Sequence, residues 1–209
     1  MERRVFIGLD LGQRQDHSAI AVVRGAEEQD GGFDYVKWVQ PVRTVWEADP
    51  LRRLPLGTLY TTVVEQVARL VRRPEMEGRC TVVADATGVG MPVMEMLRRS
   101  GMRARLMPVI VTSSSAPAHC TEGVWHVGRR ELLTGLREML EERRVRIPET
   151  EVGRSLVEEL ANMELESGGR VRSGAERGAV HDDLAFALAL ACWRTRLGRV
   201  GLVGSGRVV

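Results

Sequence analysis

Apolar runs and helical periodicities follow one another along this chain. Arg4–Leu9 (RVFIGL) is almost unbroken in its apolar character, as a strand covered on both faces requires, and His17–Arg24 (HSAIAVVR) reads as a second strand after a polar loop. Phe33–Gln40 (FDYVKWVQ) alternates and predicts a third strand, with Gly25–Gly32, holding Asp30-Gly31-Gly32, as the turn before it. Residues 41–56 hold three prolines and no clear period, which predicts a loop. Leu59, Val63, Val67 and Leu70 then recur at helical spacing over Thr58–Arg73, and Pro74 stops the run. Cys80–Ala84 (CTVVA) predicts a buried strand, Gly88–Ser100 a helix closed by Gly101, and Arg103–Val111 another strand.

The second half is mainly helical. The serine-rich stretch 112–123 predicts a loop. Arg129–Arg144 is amphipathic, with Leu132, Leu133, Leu136, Met139 and Leu140 on one side, and Glu149–Met163 follows Pro148 on Val152, Leu156 and Leu160. Glu164–Arg172 predicts a hairpin around Gly168-Gly169. From Asp182 onward the chain predicts a helix apolar on every face, and the glycine-punctuated tail 197–209 is expected to be flexible. The order of elements gives an α/β fold: a central mixed five-stranded sheet, its first three strands antiparallel, flanked by helices. Residues 1–196 read as one domain.

Composition narrows the class of protein. At 209 residues, 44% hydrophobic and 28% charged, the chain can build a core without staples. Three cysteines with no paired spacing fit a reducing compartment rather than a disulfide or zinc scaffold. The N-terminus lacks a signal-peptide run, and the longest apolar stretch, Leu184–Trp193, is too short to span a bilayer, so a cytoplasmic protein without membrane contact is expected. A net charge of +2 decides nothing about nucleic acid, although all 30 basic residues except Lys37 are arginine, the better bidentate phosphate ligand.

The chemistry lies in where the acids fall. Asp10 ends the first strand, Asp85 ends the strand CTVVA, and Asp182 and Asp183 open the apolar helix. Carboxylates at the carboxyl ends of strands sit where open α/β sheets bind ligands. Each has a plain alternative as a turn or helix cap. Converging together without a basic partner they would repel, and a divalent cation resolves that; all-oxygen ligands suit Mg²⁺ or Mn²⁺.

Three stretches, FIGLDLGQRQDHSAIAVV, VVADATGVGMPVMEMLRRSG and HDDLAFALALACW, resemble the three motif blocks of the nuclease domain of the phage terminase large subunit, and WHVGRRELLTGLREMLEERRVRIP resembles its stretch between the last two. The resemblance implies a ribonuclease H-like fold over most of residues 4–195 and a metal-dependent DNA endonuclease working with one or two ions. It makes Asp10 and Asp85 metal ligands and draws the third acid from the Asp182–Asp183 pair. An i, i+3 count places Asp183 on the face of Phe186 and Leu190, toward the sheet, and favours it. His181 is a neighbour suited to the metal shell or to water activation, and Asp16 is an accessory acid. Arg14, Arg129, Arg130, Arg170 and Arg172 are candidates for contact with the DNA backbone.

Two features depart from that family. Phe186 stands where its members often carry a further acid, and no GxxxxGK[ST] motif for an ATPase occurs. The chain is therefore expected to be a separate nuclease subunit, a truncated chain or a remnant, with the ATPase motor or portal protein as a separate partner. The alternatives are a catalytically weak or inactive DNA-binding remnant and a Holliday-junction resolvase-like nuclease. An actin- or sugar-kinase-type ATPase needs two such domains and more chain.

Overall fold

The computed structural model of the chain describes residues 4–12, 16–167 and 182–197. Its elements are β1 (Val5–Asp10), β2 (Ala19–Gln29), β3 (Val42–Arg53), α1 (Tyr60–Val71), β4 (Cys80–Asp85), α2 (Gly90–Arg99), β5 (Arg105–Thr112), β6 (His119–Thr121), β7 (Val124–Gly128), α3 (Arg129–Glu141), β8 (Val145–Arg146), α4 (Glu151–Ser167) and α5 (Asp183–Leu197). They build one eight-stranded sheet of order β6-β7-β5-β4-β1-β2-β3-β8. β1, β2 and β3 are antiparallel neighbours, while β1, β4, β5 and β7 run parallel. The mixed α/β architecture expected from the sequence is present, with eight strands in place of five.

The unbroken apolar character of β1 follows from cover on both faces. Val5, Ile7 and Leu9 point with Val82, Ala84, Ile20 and Val22 into a core closed by α1 and α2. Phe6, with Ala19, Ala21 and Val83, points the other way into a core closed by α3, α4 and α5. α5 lies between the sheet and α3 and α4, so nearly every one of its side chains is buried. Its alanines allow close approach, and Gly8 completes the fit: a Cβ there would lie 1.8 Å from the Ala187 carbonyl oxygen and 2.9 Å from the Ala191 nitrogen.

The largest correction concerns the third strand. Residues 33–40 form a turn closed by a bridge between Asp34 and Val39. Asp34 Oδ1 accepts the backbone N–H groups of Val36 (2.9 Å) and Lys37 (3.0 Å), and this local turn chemistry overrides the alternation. Tyr35 (77% exposed) and Trp38 (76%) stand in solvent with Phe33, ring against ring. The real third strand is β3, inside the stretch read as a loop. Pro50 is accommodated because the register shifts between Ala21 and Val23, setting Asp49 and Pro50 opposite Val22 alone, and a bulge tolerates a proline.

Smaller differences share one cause, the short reach of local signals. β2 continues through the supposed turn 25–32 as far as Gln29. The serine-rich loop gives way to β6, which pairs with β7. The expected hairpin 164–172 begins as the last turn of α4, helical through Ser167, and its remainder lies outside the described residues. Of the expected flexible tail 197–209, Leu197 is the last residue of α5 and the rest lies outside them as well. Among the described residues no helix is long and apolar enough to cross a membrane.

Candidate active site

β1 and β4 are parallel neighbours in register, Leu9 beside Ala84, so their terminal residues Asp10 and Asp85 emerge side by side at the same end of the sheet. The first turn of α5 brings Asp182 and Asp183 to the same place. These four acids, with Asp16, share a cleft of about 420 Å³. Asp10 is partly exposed at its floor, and its carboxyl is held well above the ordinary aspartate value of 3.8 by burial first, then by Asp85, Asp183 and Asp182, with Arg129 opposing.

DATGVG has a physical reading here. Asp85 Oδ1 accepts the Thr87 N–H at 2.8 Å, and Thr87 Oγ1 accepts the Val111 N–H at 3.0 Å, which fixes the turn against β5. Gly88 takes φ +60°, and a Cβ on Gly90 would lie 2.2 Å from the Asp85 carbonyl oxygen. The glycines thus let α2 start directly above the acid.

The two acids of α5 are unequal. Asp183 is 4% exposed, and its Oδ2 lies 3.9 Å from Arg53 Nε. Asp182 is more open and pairs with Arg129, whose guanidinium also sits 4.8 Å over the Phe186 ring. Behind them Glu159 of α4, also 4% exposed, pairs with Arg53 through Oε1 and accepts the Ala185 N–H through Oε2 at 2.8 Å. Glu159 therefore caps α5 from another helix and leaves the Asp182 side chain for Arg129.

Sequence reasoning missed Arg53 and Glu159. Arg53 was hidden by the misread third strand. Glu159 carried a signal, because it lies three residues after Leu156 on the buried stripe of α4, where an acid needs a partner. Of the residues expected at the site, Asp10, Asp16, Asp85, Asp182, Asp183 and Arg129 line the cleft. Arg130 lies beside it, exposed, on the adjoining groove between α3 and α4. Arg14, Arg170, Arg172 and His181 lie outside the described residues. Among the described residues no three His, Cys, Asp or Glu side chains are drawn together tightly enough to enclose a metal ion. Asp182 instead pairs with Arg129, and Asp183 Oδ2 lies 3.9 Å from Arg53 Nε.

The family model for the terminase RNaseH-like domain matches residues 60–194. The chain belongs to that family. Asp85, Asp182 and Asp183 of this terminase RNaseH-like domain fall inside the matched span, and Asp10 precedes it. Two solved structures share the fold over most of this chain. The large terminase nuclease from thermophilic phage G20c is 24% identical, with a TM-score of 0.54 over 91% of this chain and 81% of that one. The human cytomegalovirus terminase nuclease domain, soaked with Mn, is 10% identical, with a TM-score of 0.54 over 92% of this chain and 83% of that one. No curated protein matches significantly.

Proposed function

We propose that this terminase RNaseH-like domain is a divalent-metal-dependent DNA endonuclease that hydrolyses phosphodiester bonds in the carboxylate cleft. The observation that carries the reading is the convergence of four aspartates from β1, β4 and α5 on one cleft, close enough for three of them to raise the fourth. The resemblance to nucleases of a phage and a herpesvirus supports it, and the Mn soak of the latter supports the choice of metal class.

The donor set fits an oxygen-seeking ion. All four acids offer carboxylate oxygens only, and the repulsion that raises Asp10 is what a bound cation relieves. Asp10, Asp85 and Asp183 would hold Mg²⁺ or Mn²⁺, one ion or two, with Asp182 beside them. When bound, such ions supply an activated water and neutralise charge on the phosphodiester.

The chain's own residues do the rest. Glu159 and Arg53 hold Asp183 and the first turn of α5 in place, so the buried acid faces the two strand ends in a fixed position. Thr87 holds Asp85. Arg129, seated on Phe186, offers a guanidinium at the cleft rim, where it balances Asp182 in the free protein and reaches a phosphate oxygen when DNA lies across the cleft. His181 and Asp16 are proposed neighbours of the reacting water. DNA is the substrate in this reading, and the partners are other components of a terminase, an ATPase motor or a portal protein, in the cytoplasm of an infected cell.

Phe186 favours a second reading, a DNA-binding remnant of the fold, because an apolar ring and an arginine occupy that side of the cleft. Plasmid nicking with Mn²⁺, Mg²⁺ or EDTA, for wild type and Asp85→Ala, separates the two. Cleavage that disappears with EDTA and with the substitution is expected. Retention of DNA by the folded protein without cutting in either metal favours the remnant, or a nuclease that is silent without its motor partner.

A further inference from the structure

The opposite end of the sheet carries another constellation. Arg4 precedes β1, Arg79 precedes β4, and Arg103 and Arg105 stand at the start of β5; all four line one cleft of about 490 Å³ whose wall contains no acid. Among the described residues no ion pair or side-chain hydrogen bond engages any of the four guanidinium groups. The backbone holds two of them together, because Gly78 N–H donates to the Arg103 carbonyl at 2.7 Å and ties the loop before β4 to the one before β5.

A fifth arginine registers their field. Arg194, near the end of α5, lies 5.3 Å over the Phe6 ring, and its Nε is buried without a hydrogen-bond partner among the described residues. Burial first, then Arg105 and Arg4, hold its guanidinium below the ordinary range. Several arginines elsewhere on the molecule face acids: Arg24 pairs with Asp49, Arg99 with Glu95 and Arg196 with Glu138. Here charge of one sign collects without a counter-charge.

We propose that this arginine cleft is a second anion site that takes phosphate groups, at the opposite pole of the sheet from the carboxylates and about 20 Å from them along the strands. Guanidinium forks bind phosphate oxygens bidentately, and four of them around one open cleft match a ligand with several negative charges at short spacing, as adjacent phosphates provide. A single carboxylate would leave most of the positive charge uncompensated. The shared chemistry is that of a nucleic-acid backbone and of free polyphosphate.

Calorimetric titration with tripolyphosphate, in EDTA so that no metal bridges phosphate to the acids, tests the site. Wild type and a control of equal net charge, Arg137→Glu/Arg154→Glu, are expected to bind at one site. Arg79→Glu/Arg105→Glu should bind at least tenfold more weakly, and Arg79→Gln/Arg105→Gln should fall between. Thermal melts check that each variant is folded; these side chains are exposed, so nearly unchanged melts are expected, with only the small loss of the Arg137–Glu141 surface pair in the control. Competition by a twelve-nucleotide single-stranded DNA assigns the site to a nucleic-acid backbone, and binding without such competition assigns it to free polyphosphate. Equal binding by all four proteins, no binding by wild type, or tighter binding of hexaglutamate than of tripolyphosphate overturns the proposal.

Discussion

The two ends of β1 and β4 carry opposite charge, and they manage it differently. At the carboxyl ends Asp10 and Asp85 meet Asp182 and Asp183, and two arginines from distant elements, Arg53 and Arg129, have been recruited against the α5 acids. At the amino ends Arg4, Arg79, Arg103 and Arg105 meet no acid among the described residues. α5 joins the poles with acids in its first turn and Arg194 and Arg196 in its last, the sense its macrodipole favours at each end. The difference teaches which charge needs internal support. Burial raises Asp10, so charge at the acid pole is costly unless it is compensated, whereas the arginines are exposed and can await a ligand.

The largest expected effect separates the two acids of α5. Asp183→Asn should lower cleavage by about 10³-fold, because a buried carboxylate facing the strand ends has no substitute. Asp182→Asn should lower it by only about tenfold, since that side chain is open and its partner is Arg129. Metal-dependent plasmid cleavage measures both; equal losses would erase the inequality between them.

The second effect tests the contact that links the poles. Gly8→Ala drives a Cβ into the α5 backbone, which cannot yield as a flexible side chain would. A loss of about 3 kcal/mol is expected from overpacking, measured by urea unfolding. Gly78→Ala, at the arginine pole, has open space around the new Cβ and meets only the cost of its φ of +71°, about 1 kcal/mol.

These positions also show what the sequence made legible. The acids could be read because a strand end and an apolar helix are local patterns, and Asp10, Asp85 and Asp183 each sit at the edge of one. Gly8 could not, because its reason is the Ala187 carbonyl, 179 residues away in the chain. Arg53 was lost with β3, whose proline is explained only by a bulge opposite Val22. The aromatic alternation of 33–40 misled in the opposite direction, since Asp34 closes a turn that periodicity does not register.

The third effect concerns the support behind the acids. Glu159→Ala removes both the partner of Arg53 and the cap on Ala185, and should cost about 2 kcal/mol. Glu159→Gln keeps a cap acceptor and should recover part of that stability while leaving Asp183 as the sole acid facing Arg53. Cleavage by the Gln variant then reports positioning: a fall in kcat with KM unchanged shows that Glu159 acts through Asp183, and parallel recovery of stability and cleavage shows that it only holds the helix.

The smallest effect lies in the pH dependence of the metal-free protein. Asp10 has a raised pKa in the folded state, so the fold binds that proton more tightly than the unfolded chain does. The stabilisation this gives is complete below the unfolded value of 3.8 and is lost as pH rises through the higher folded value. Thermal melts of wild type without metal should therefore decline relative to Asp10→Asn as the carboxyl ionises, and the two curves should converge at lower pH. Mn²⁺ should restore the wild type at high pH and leave Asp10→Asn little changed, because the cation relieves a repulsion that the amide has already removed. The arginine pole predicts the reverse ligand preference, stabilisation by tripolyphosphate with no dependence on the state of Asp10. A melt in which both ligands act through Asp10 would show that the two poles are one electrostatic unit rather than two sites.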